Sequence, residues 1–122
     1  MALRKRILVV DDDRHVQSIV AAALRGYTVE SAFSGDEALA RVGADVGYDL
    51  VITDYLMPDM LGDELIGRLR ERRPDVRVLV LTGHHESFEA ERPEWWTGVP
   101  HLAKPFTVDA IRSAVADIIG QP

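Results

Sequence analysis

Reactive side chains stand at the ends of four short apolar runs in this sequence. In chain order they are Asp11, Asp12, Asp54, Thr82 and Lys104. Short apolar runs without alternation are typical of parallel strands that are buried on both faces. The carboxyl ends of parallel strands meet at one edge of the sheet, where open α/β folds bind their ligands. The sequence therefore predicts that these five side chains converge on one site.

The residue types at this predicted site suit phosphoryl transfer. Carboxylates held close together repel one another, and a hard divalent cation relieves the repulsion; a ligand set made only of oxygens favours Mg²⁺. A threonine hydroxyl and a lysine ammonium can hold the oxygens of a phosphoryl group beside that cation. The carboxylate of Asp54 can attack phosphorus and become an acyl phosphate. Phosphoryl transfer mostly requires positioning and charge neutralisation, and these residues supply both.

The elements that must position these residues are five strands alternating with helices. The predicted strands are 6–10, 28–32, 50–52, 76–81 and 99–103, and the predicted helices are 16–24, 35–43, 63–72 and 108–118. A further helix at 87–92 is expected to be short or irregular because Pro93 interrupts it, and Pro100 inside the fifth strand predicts an edge position. This pattern predicts a doubly wound α/β fold, with a five-stranded parallel sheet and helices on both faces. In the flavodoxin-like strand order 2-1-3-4-5, strands one and three are neighbours at the switch point.

Polar residues mark where three of the helices begin. Asp13 is predicted to cap the first helix and Thr107 the last, and Ser34 with Glu37 forms a capping box at the second. Asp59 is predicted to be a charge near the start of the third helix, where it would favour the helix dipole.

Composition limits the class of protein. The 122 residues suffice for one domain and are too few for two, so we expect 1–122 to be a single domain. The absence of cysteine excludes thiolate metal sites and fits a cytoplasmic protein. The net charge is −6, and no apolar run approaches the roughly 18 residues of a membrane span. The negative net charge argues against direct contact with nucleic acid, and the short apolar runs argue against a membrane span, so we expect neither.

Four segments carry the reactive residues and a distinctive sequence around each. They are Val9-Val10-Asp11-Asp12-Asp13, Thr53-Asp54-Tyr55-Leu56-Met57-Pro58, Leu81-Thr82-Gly83 and Lys104-Pro105-Phe106. In this order, and each at a predicted strand end, they resemble the receiver domain of bacterial two-component response regulators. The resemblance extends over residues 5–119, which is nearly the whole chain. It implies a receiver without an output domain within 1–122, either a single-domain regulator or part of a longer chain such as a hybrid kinase.

The resemblance implies a phosphoacceptor role and a set of metal ligands. Asp54 would accept a phosphoryl group from a phosphohistidine on a sensor histidine kinase or a histidine phosphotransfer protein. Asp12 and Asp54 would bind Mg²⁺ directly, the backbone carbonyl of Leu56 would be a third ligand, and Asp11 would act partly through water. Such a receiver phosphorylates itself and at most slowly removes its own phosphoryl group, and it is not an enzyme with a separate substrate.

The resemblance also implies how the phosphoryl group is held and how the signal spreads. Thr82 and Lys104 would hold its oxygens, with a cis Lys104–Pro105 peptide aiming the lysine inward. Thr82 would then move toward the phosphoryl group, and an aromatic residue three positions before the lysine would swing inward. Here that position is His101, which could act as a switch whose charge responds to pH or could be a surface histidine on an edge strand. The face made by the predicted fourth helix and fifth strand would bind a downstream protein that the sequence does not identify.

Two other classes of function compete with this interpretation. The segment from Val9 to Asp13 also resembles the start of haloacid dehalogenase-like phosphatases, in which Asp11 would be the nucleophile and Asp13 the general acid. That reading leaves the strand end at Asp54 unexplained. The third possibility is an interaction module that works without phosphorylation, and the intact set of acids argues against it.

Overall fold

The computed structural model describes residues 4–44, 47–83 and 98–122, which form five strands and four helices. The strands are β1 (Arg6–Val10), β2 (Thr28–Ala32), β3 (Leu50–Asp54), β4 (Val78–Thr82) and β5 (His101–Ala103). The helices are α1 (Arg14–Ala23), α2 (Gly35–Ala44), α3 (Gly62–Arg72) and α4 (Val108–Ile119). The predicted helix at 87–92 lies outside the described residues, so α4 denotes the C-terminal helix.

The strands form one sheet in the order β2-β1-β3-β4-β5, and every neighbouring pair is parallel. The predicted strand order is therefore confirmed, and β1 and β3 lie side by side in the middle of the sheet. Their register pairs Val10 with Thr53, which places the residue after β1 beside the last residue of β3. Strand β5 lies at one edge of the sheet, as the proline near it predicted, although Pro100 precedes the strand instead of lying inside it.

Helices cover both faces of the sheet, and two hydrophobic clusters result. Successive residues of a strand point to opposite faces, so the continuous apolar run of β1 supplies Ile7 to one cluster and Leu8 to the other. The cluster under α2 and α3 includes Leu65, and the cluster under α1 and α4 includes Ile111. All four side chains are fully buried, and each contributes roughly 1.5–3 kcal/mol to the hydrophobic stabilisation.

The predicted helix caps are confirmed. Asp13 accepts hydrogen bonds from two backbone N–H groups of α1, and Thr107 accepts one from α4. The Ser34 hydroxyl accepts a bond from the Glu37 N–H over 3.0 Å, and the Glu37 carboxylate accepts one from the Phe33 N–H over 2.8 Å. The chain therefore enters each of these helices in a conformation set by its own neighbouring residues.

Asp59 does not act at the start of α3, where the sequence placed it. Its carboxylate accepts hydrogen bonds from the backbone N–H groups of Gly35, over 3.2 Å, and Asp36, over 3.0 Å, so it caps α2 from the loop after β3. Burial alone would raise the pKa of Asp59, but hydrogen bonds from backbone N–H groups, chiefly those of Asp36 and Gly35, together lower it. The bond ties α2 to the loop that follows Asp54.

Apolar residues recur at helical spacing in α1 and in α4, and one large apolar residue of each helix is exposed. Ile19 of α1 and Val108 of α4 are exposed, whereas the buried face of α1 contains the polar residue Gln17.

Among the helices that the structure describes, none is both long enough and apolar enough to cross a bilayer.

Candidate functional site

The reactive residues lie at the carboxyl edge of the sheet. Asp54 is the last residue of β3 and Thr82 the last of β4, while Asp11 follows β1 directly and Lys104 follows β5. Because all five strands are parallel, these four positions share one edge at the switch point between β1 and β3.

A lysine bridges two of the carboxylates at this edge. The Nζ atom of Lys104 lies 3.3 Å from Oδ2 of Asp11 and 3.2 Å from Oδ1 of Asp54. Asp11 is completely buried and Asp54 is 9% exposed, whereas Asp12 is exposed. One carboxylate oxygen from each of the three aspartates lies within 4.8 Å of the other two. Four of the five side chains predicted to converge are thus brought together, those of Asp11, Asp12, Asp54 and Lys104.

The electrostatics of the site leave the carboxylates poorly compensated. Burial raises the pKa of Asp11, and the Asp13 backbone N–H and Lys104 only partly oppose that rise. Burial also raises the pKa of Asp54, and repulsion by Asp11 adds to it. Burial alone would lower the pKa of Lys104, but the charges of Asp54 and Asp11 together raise it, so the ammonium form is favoured.

The donor set fits a divalent cation. Three carboxylates close to one ammonium leave two negative charges uncompensated when all four groups are ionised. The available ligand atoms are oxygens, which suit Mg²⁺ better than softer metals. The group of Asp11, Asp12 and Asp54 therefore has the composition and the spacing to hold one such ion.

Thr82 and Lys104 are placed by the pairing of β4 with β5. The Lys104 backbone N–H donates to the Thr82 carbonyl over 2.7 Å, and Thr82 itself is buried. The Lys104–Pro105 peptide is cis, as the resemblance implied. Thr82 thus ends the strand next to the one that carries Asp54, with Lys104 on its other side.

The strand end at Asp54 is supported by the start of α3. The Gly62 N–H donates to the Tyr55 carbonyl over 2.7 Å. A Cβ atom on Gly62 would lie 3.0 Å from the Asp54 carbonyl oxygen and from the Tyr55 Cα, so a side chain there would displace the backbone beside Asp54. Leu61, at the N-cap of α3, makes no side-chain cap. Glycine is what allows α3 to begin this close to the site.

The metal-ligand role of Leu56 and the switch role of His101 stay predictions. The Leu56 backbone N–H partly opposes the rise in the pKa of Asp54 that burial causes, and the Leu56 side chain is 56% exposed. The Leu56 carbonyl as a metal ligand stays a prediction. His101 opens β5 with an exposed side chain, and its Nδ1 lies 3.4 Å from the Val99 carbonyl oxygen. Its part in a conformational switch also stays a prediction.

Gln17 is a residue of this region that sequence reasoning missed. It is buried, and its side chain contacts the backbone at the ends of β1 and β2. A signal was present in the sequence, because Gln17 lies three and seven residues before Val20 and Leu24 and so belongs to the buried face of α1.

The strand order and the position of the site define the flavodoxin-like class of α/β proteins. A family model described as the response regulator receiver domain matches residues 7–116. The chain belongs to this family.

Relatives agree with this assignment. The chain is 36% identical over 110 residues to the DNA-binding transcriptional regulator NtrC of Azospirillum brasilense, a match that covers 89% of the chain and 23% of NtrC. Among solved structures, it superposes on the chemotaxis protein CheY4 of Vibrio cholerae with a TM-score of 0.84 at 28% identity, covering 95% of this chain and 99% of the other. It superposes on the response regulator TrrA of Thermotoga maritima, in complex with Mg²⁺ and BeF, with a TM-score of 0.81 at 32% identity, covering 93% and 98%. The chain spans 12% to 50% of the length of several curated relatives.

Proposed function

We propose that this receiver domain carries a phosphoryl group on Asp54. The observation that supports the proposal is the position of the Asp54 carboxylate, which lies at a strand end 3.2 Å from the Lys104 ammonium and close to two further carboxylates. Burial and the neighbouring Asp11 raise the pKa of Asp54, so its charged form does not stabilise the folded protein. This arrangement suits a residue that reacts.

The chain's own residues provide the groups for the transfer. An Asp54 oxygen forms a bond to phosphorus while the bond between phosphorus and the donor's histidine nitrogen breaks, which produces an acyl phosphate and frees the imidazole. Lys104 binds a phosphoryl oxygen through its ammonium, and the Thr82 hydroxyl donates a hydrogen bond to another. Asp11, Asp12, Asp54 and the Leu56 carbonyl would hold Mg²⁺, which when bound neutralises the negative charge of the phosphoryl oxygens. Hydrolysis by water would slowly return Asp54 to its free form, without any separate substrate.

The partners follow from the phosphodonor and from the family. We propose that a sensor histidine kinase or a histidine phosphotransfer protein supplies the phosphohistidine. Thr82, with His101 and the face near β5, would pass the change to a downstream protein. The similarity to TrrA, whose structure contains Mg²⁺ and BeF, supports the choice of Mg²⁺. The single-domain organisation and the cytoplasmic location stay predictions.

The phosphatase alternative is less well supported by the site. The Asp13 carboxylate, the general acid of that reading, is engaged at the start of α1, where it accepts a bond from the His15 N–H over 2.8 Å. Asp54 would have no role in such an enzyme, although Lys104 contacts it as closely as it contacts Asp11.

Phosphorylation by acetyl phosphate with Mg²⁺ tests the proposal. Intact-protein mass spectrometry of the wild type should show the addition of one phosphoryl group, and Asp54→Asn should show none. Asp63→Asn is the matched control, because Asp63 lies at the start of α3 outside the carboxylate group and should leave phosphorylation unchanged. Continued phosphorylation of Asp54→Asn would favour the phosphatase reading, and an unmodified wild type would favour the interaction module.

A further inference from the structure

The amide of Gln17 binds three backbone carbonyls near the site. Gln17 is 5% exposed, and its Nε2 donates to the carbonyl oxygens of Val9 at 3.0 Å, Asp11 at 3.1 Å and Ala32 at 2.9 Å. These carbonyls belong to the end of β1, the residue that follows it and the end of β2. A single helical side chain thus ties together three points of the backbone directly behind the carboxylates.

The amide is oriented for donation and not for acceptance. Its two hydrogens are shared among three acceptors, while Oε1 of Gln17 is buried and has no hydrogen-bond partner within 4–44, 47–83 and 98–122. A buried acceptor without a partner is unfavourable, so an amide kept in this orientation serves the carbonyls that it binds.

One of these bonds controls the peptide between two acidic residues. The Asp11 carbonyl belongs to the Asp11–Asp12 peptide unit, which is planar, so a bond to that oxygen fixes the plane and the direction in which Asp12 leaves it. The other side of Asp11 is already held, because its N–H donates to the Ala32 carbonyl over 3.1 Å. The Asp11 carboxylate is held too, since its Oδ1 accepts from the Asp13 N–H over 2.9 Å. Without Gln17, the Asp11–Asp12 peptide would lose the bond that sets its rotation.

We infer that Gln17 is a positioning residue for the cation site: it holds the Asp11–Asp12 peptide so that both carboxylates face Asp54. The inference rests on the proposed function, since it assigns Gln17 a role in binding the ion that the three aspartates would hold. Gln17 itself contacts neither the ion nor the phosphoryl group. Residues that orient metal ligands from behind typically change metal affinity 10- to 100-fold when they are replaced.

Replacement of Gln17 by methionine tests the inference. Gln17→Met keeps the length and approximate volume of the side chain but removes both donors. MgCl₂ titrations followed by backbone amide NMR should show a dissociation constant for Mg²⁺ that is about tenfold higher than in the wild type. The urea midpoint in EDTA, measured on the same samples, records how much stability the substitution removes.

A second core variant separates positioning from simple loss of stability. Val42→Ala removes buried apolar volume from α2, on the opposite face of the sheet, and should lower the urea midpoint while leaving the Mg²⁺ dissociation constant unchanged within about twofold. If Gln17→Met binds Mg²⁺ as tightly as Val42→Ala does, the inference is wrong.

A third variant covers the case in which Gln17→Met does not fold. A buried carboxylic acid in Gln17→Glu retains one hydrogen to donate, so its Mg²⁺ affinity should lie below that of the wild type. Wild-type affinity in Gln17→Glu would then overturn the inference. A wild type that binds no Mg²⁺ would overturn the proposed function as well, which distinguishes the two failures.

Discussion

Two clusters of charged side chains on the same sheet differ in how their carboxylates are compensated. On β2, Glu30 accepts hydrogen bonds from Arg6 over 2.7 Å, from the Tyr48 hydroxyl over 2.7 Å and from Arg41 over 3.4 Å. The guanidinium of Arg6 also stacks 4.6 Å from the centre of the Tyr48 ring. The bonds from Arg6 and Tyr48 lower the pKa of Glu30, so this carboxylate is stabilised in its charged form.

The site at the carboxyl edge has the reverse balance. Asp11 and Asp54 are more deeply buried than Glu30, share one lysine, and have raised pKa values. The carboxylate of Glu30 is compensated by groups of the chain itself, whereas the three aspartates beside Lys104 retain negative charge that a bound cation would neutralise. The surroundings therefore move the carboxylate pKa in opposite directions in the two clusters, downward at Glu30 and upward at Asp11 and Asp54.

Lys104→Met should break the aspartate site most severely. Without a divalent cation it leaves two buried carboxylates facing each other, and because Lys104 is 27% exposed we expect a loss of about 2 kcal/mol in the free energy of unfolding, less than for a fully buried pair. Urea denaturation in EDTA measures the loss. Lys5→Met is the control, since Lys5 binds only the Gln121 carbonyl among the described contacts and should change stability by less than about 0.5 kcal/mol. Equal losses would show that the two lysines do not differ as described.

Replacing a carboxylate by its neutral amide should change the free energy of unfolding in opposite directions in the two clusters. Asp11→Asn removes a carboxylate whose pKa is raised by burial, so it should stabilise the ion-free protein near neutral pH. Glu30→Gln weakens the charge-assisted bonds from Arg6 and should destabilise the protein by about 1 kcal/mol. Urea denaturation in EDTA near neutral pH measures both changes in the free energy of unfolding. A loss of stability in Asp11→Asn would mean that Asp11 is compensated as well as Glu30 is.

The stability differences that Asp11→Asn and Glu30→Gln make relative to the wild type should also depend on pH in different ways. The folded-state pKa of Asp11 is raised, so its contribution to stability is present below the ordinary value of 3.8 and is lost as the pH rises through the folded pKa; the advantage of Asp11→Asn should grow over that range. The folded-state pKa of Glu30 is lowered, so its contribution is present above the ordinary value of 4.5 and is lost as the pH falls through the folded pKa. The deficit of Glu30→Gln should therefore shrink in acid. Urea midpoints measured across this range, always in EDTA, would show parallel curves if the two clusters were alike.

The smallest effect should come from an ion pair outside both clusters. Glu64 and Arg68 on α3 lie 2.7 Å apart, but about half of each side chain is exposed to solvent. Glu64→Gln should change the free energy of unfolding by less than about 0.5 kcal/mol, because solvent screens an exposed pair. Thermal unfolding in low and high salt would reveal a larger contribution if the short distance mattered more than the exposure.

The sequence predicted what depends on local pattern. The strand ends at Asp11 and Asp54 could be located because short apolar runs end there, and parallel pairing then brings those ends together. The caps at Asp13 and Thr107 were predictable because each binds backbone groups only two or three residues away.

Contacts between distant segments were beyond the sequence. Asp59 caps a helix whose first residue lies 24 positions earlier, and a charge close to the start of α3 gave no reason to expect it. Gln17 donates to the carbonyl of Ala32, which lies 15 positions later on β2. The contact depends on the register of β2 with β1, which no local pattern encodes. The exposed Ile19 shows the same limit, because helical spacing identifies an apolar stripe but not where the neighbouring elements stop covering it.

The bond between Lys104 and Asp11 joins residues 93 positions apart, near the two ends of the chain. During synthesis on the ribosome, Asp11 and Asp54 are made long before Lys104, whose ammonium lies between their carboxylates in the folded protein. Such a chain has the buried carboxylates without the ammonium that partly compensates them, so the site can form only after β5 has joined the edge of the sheet.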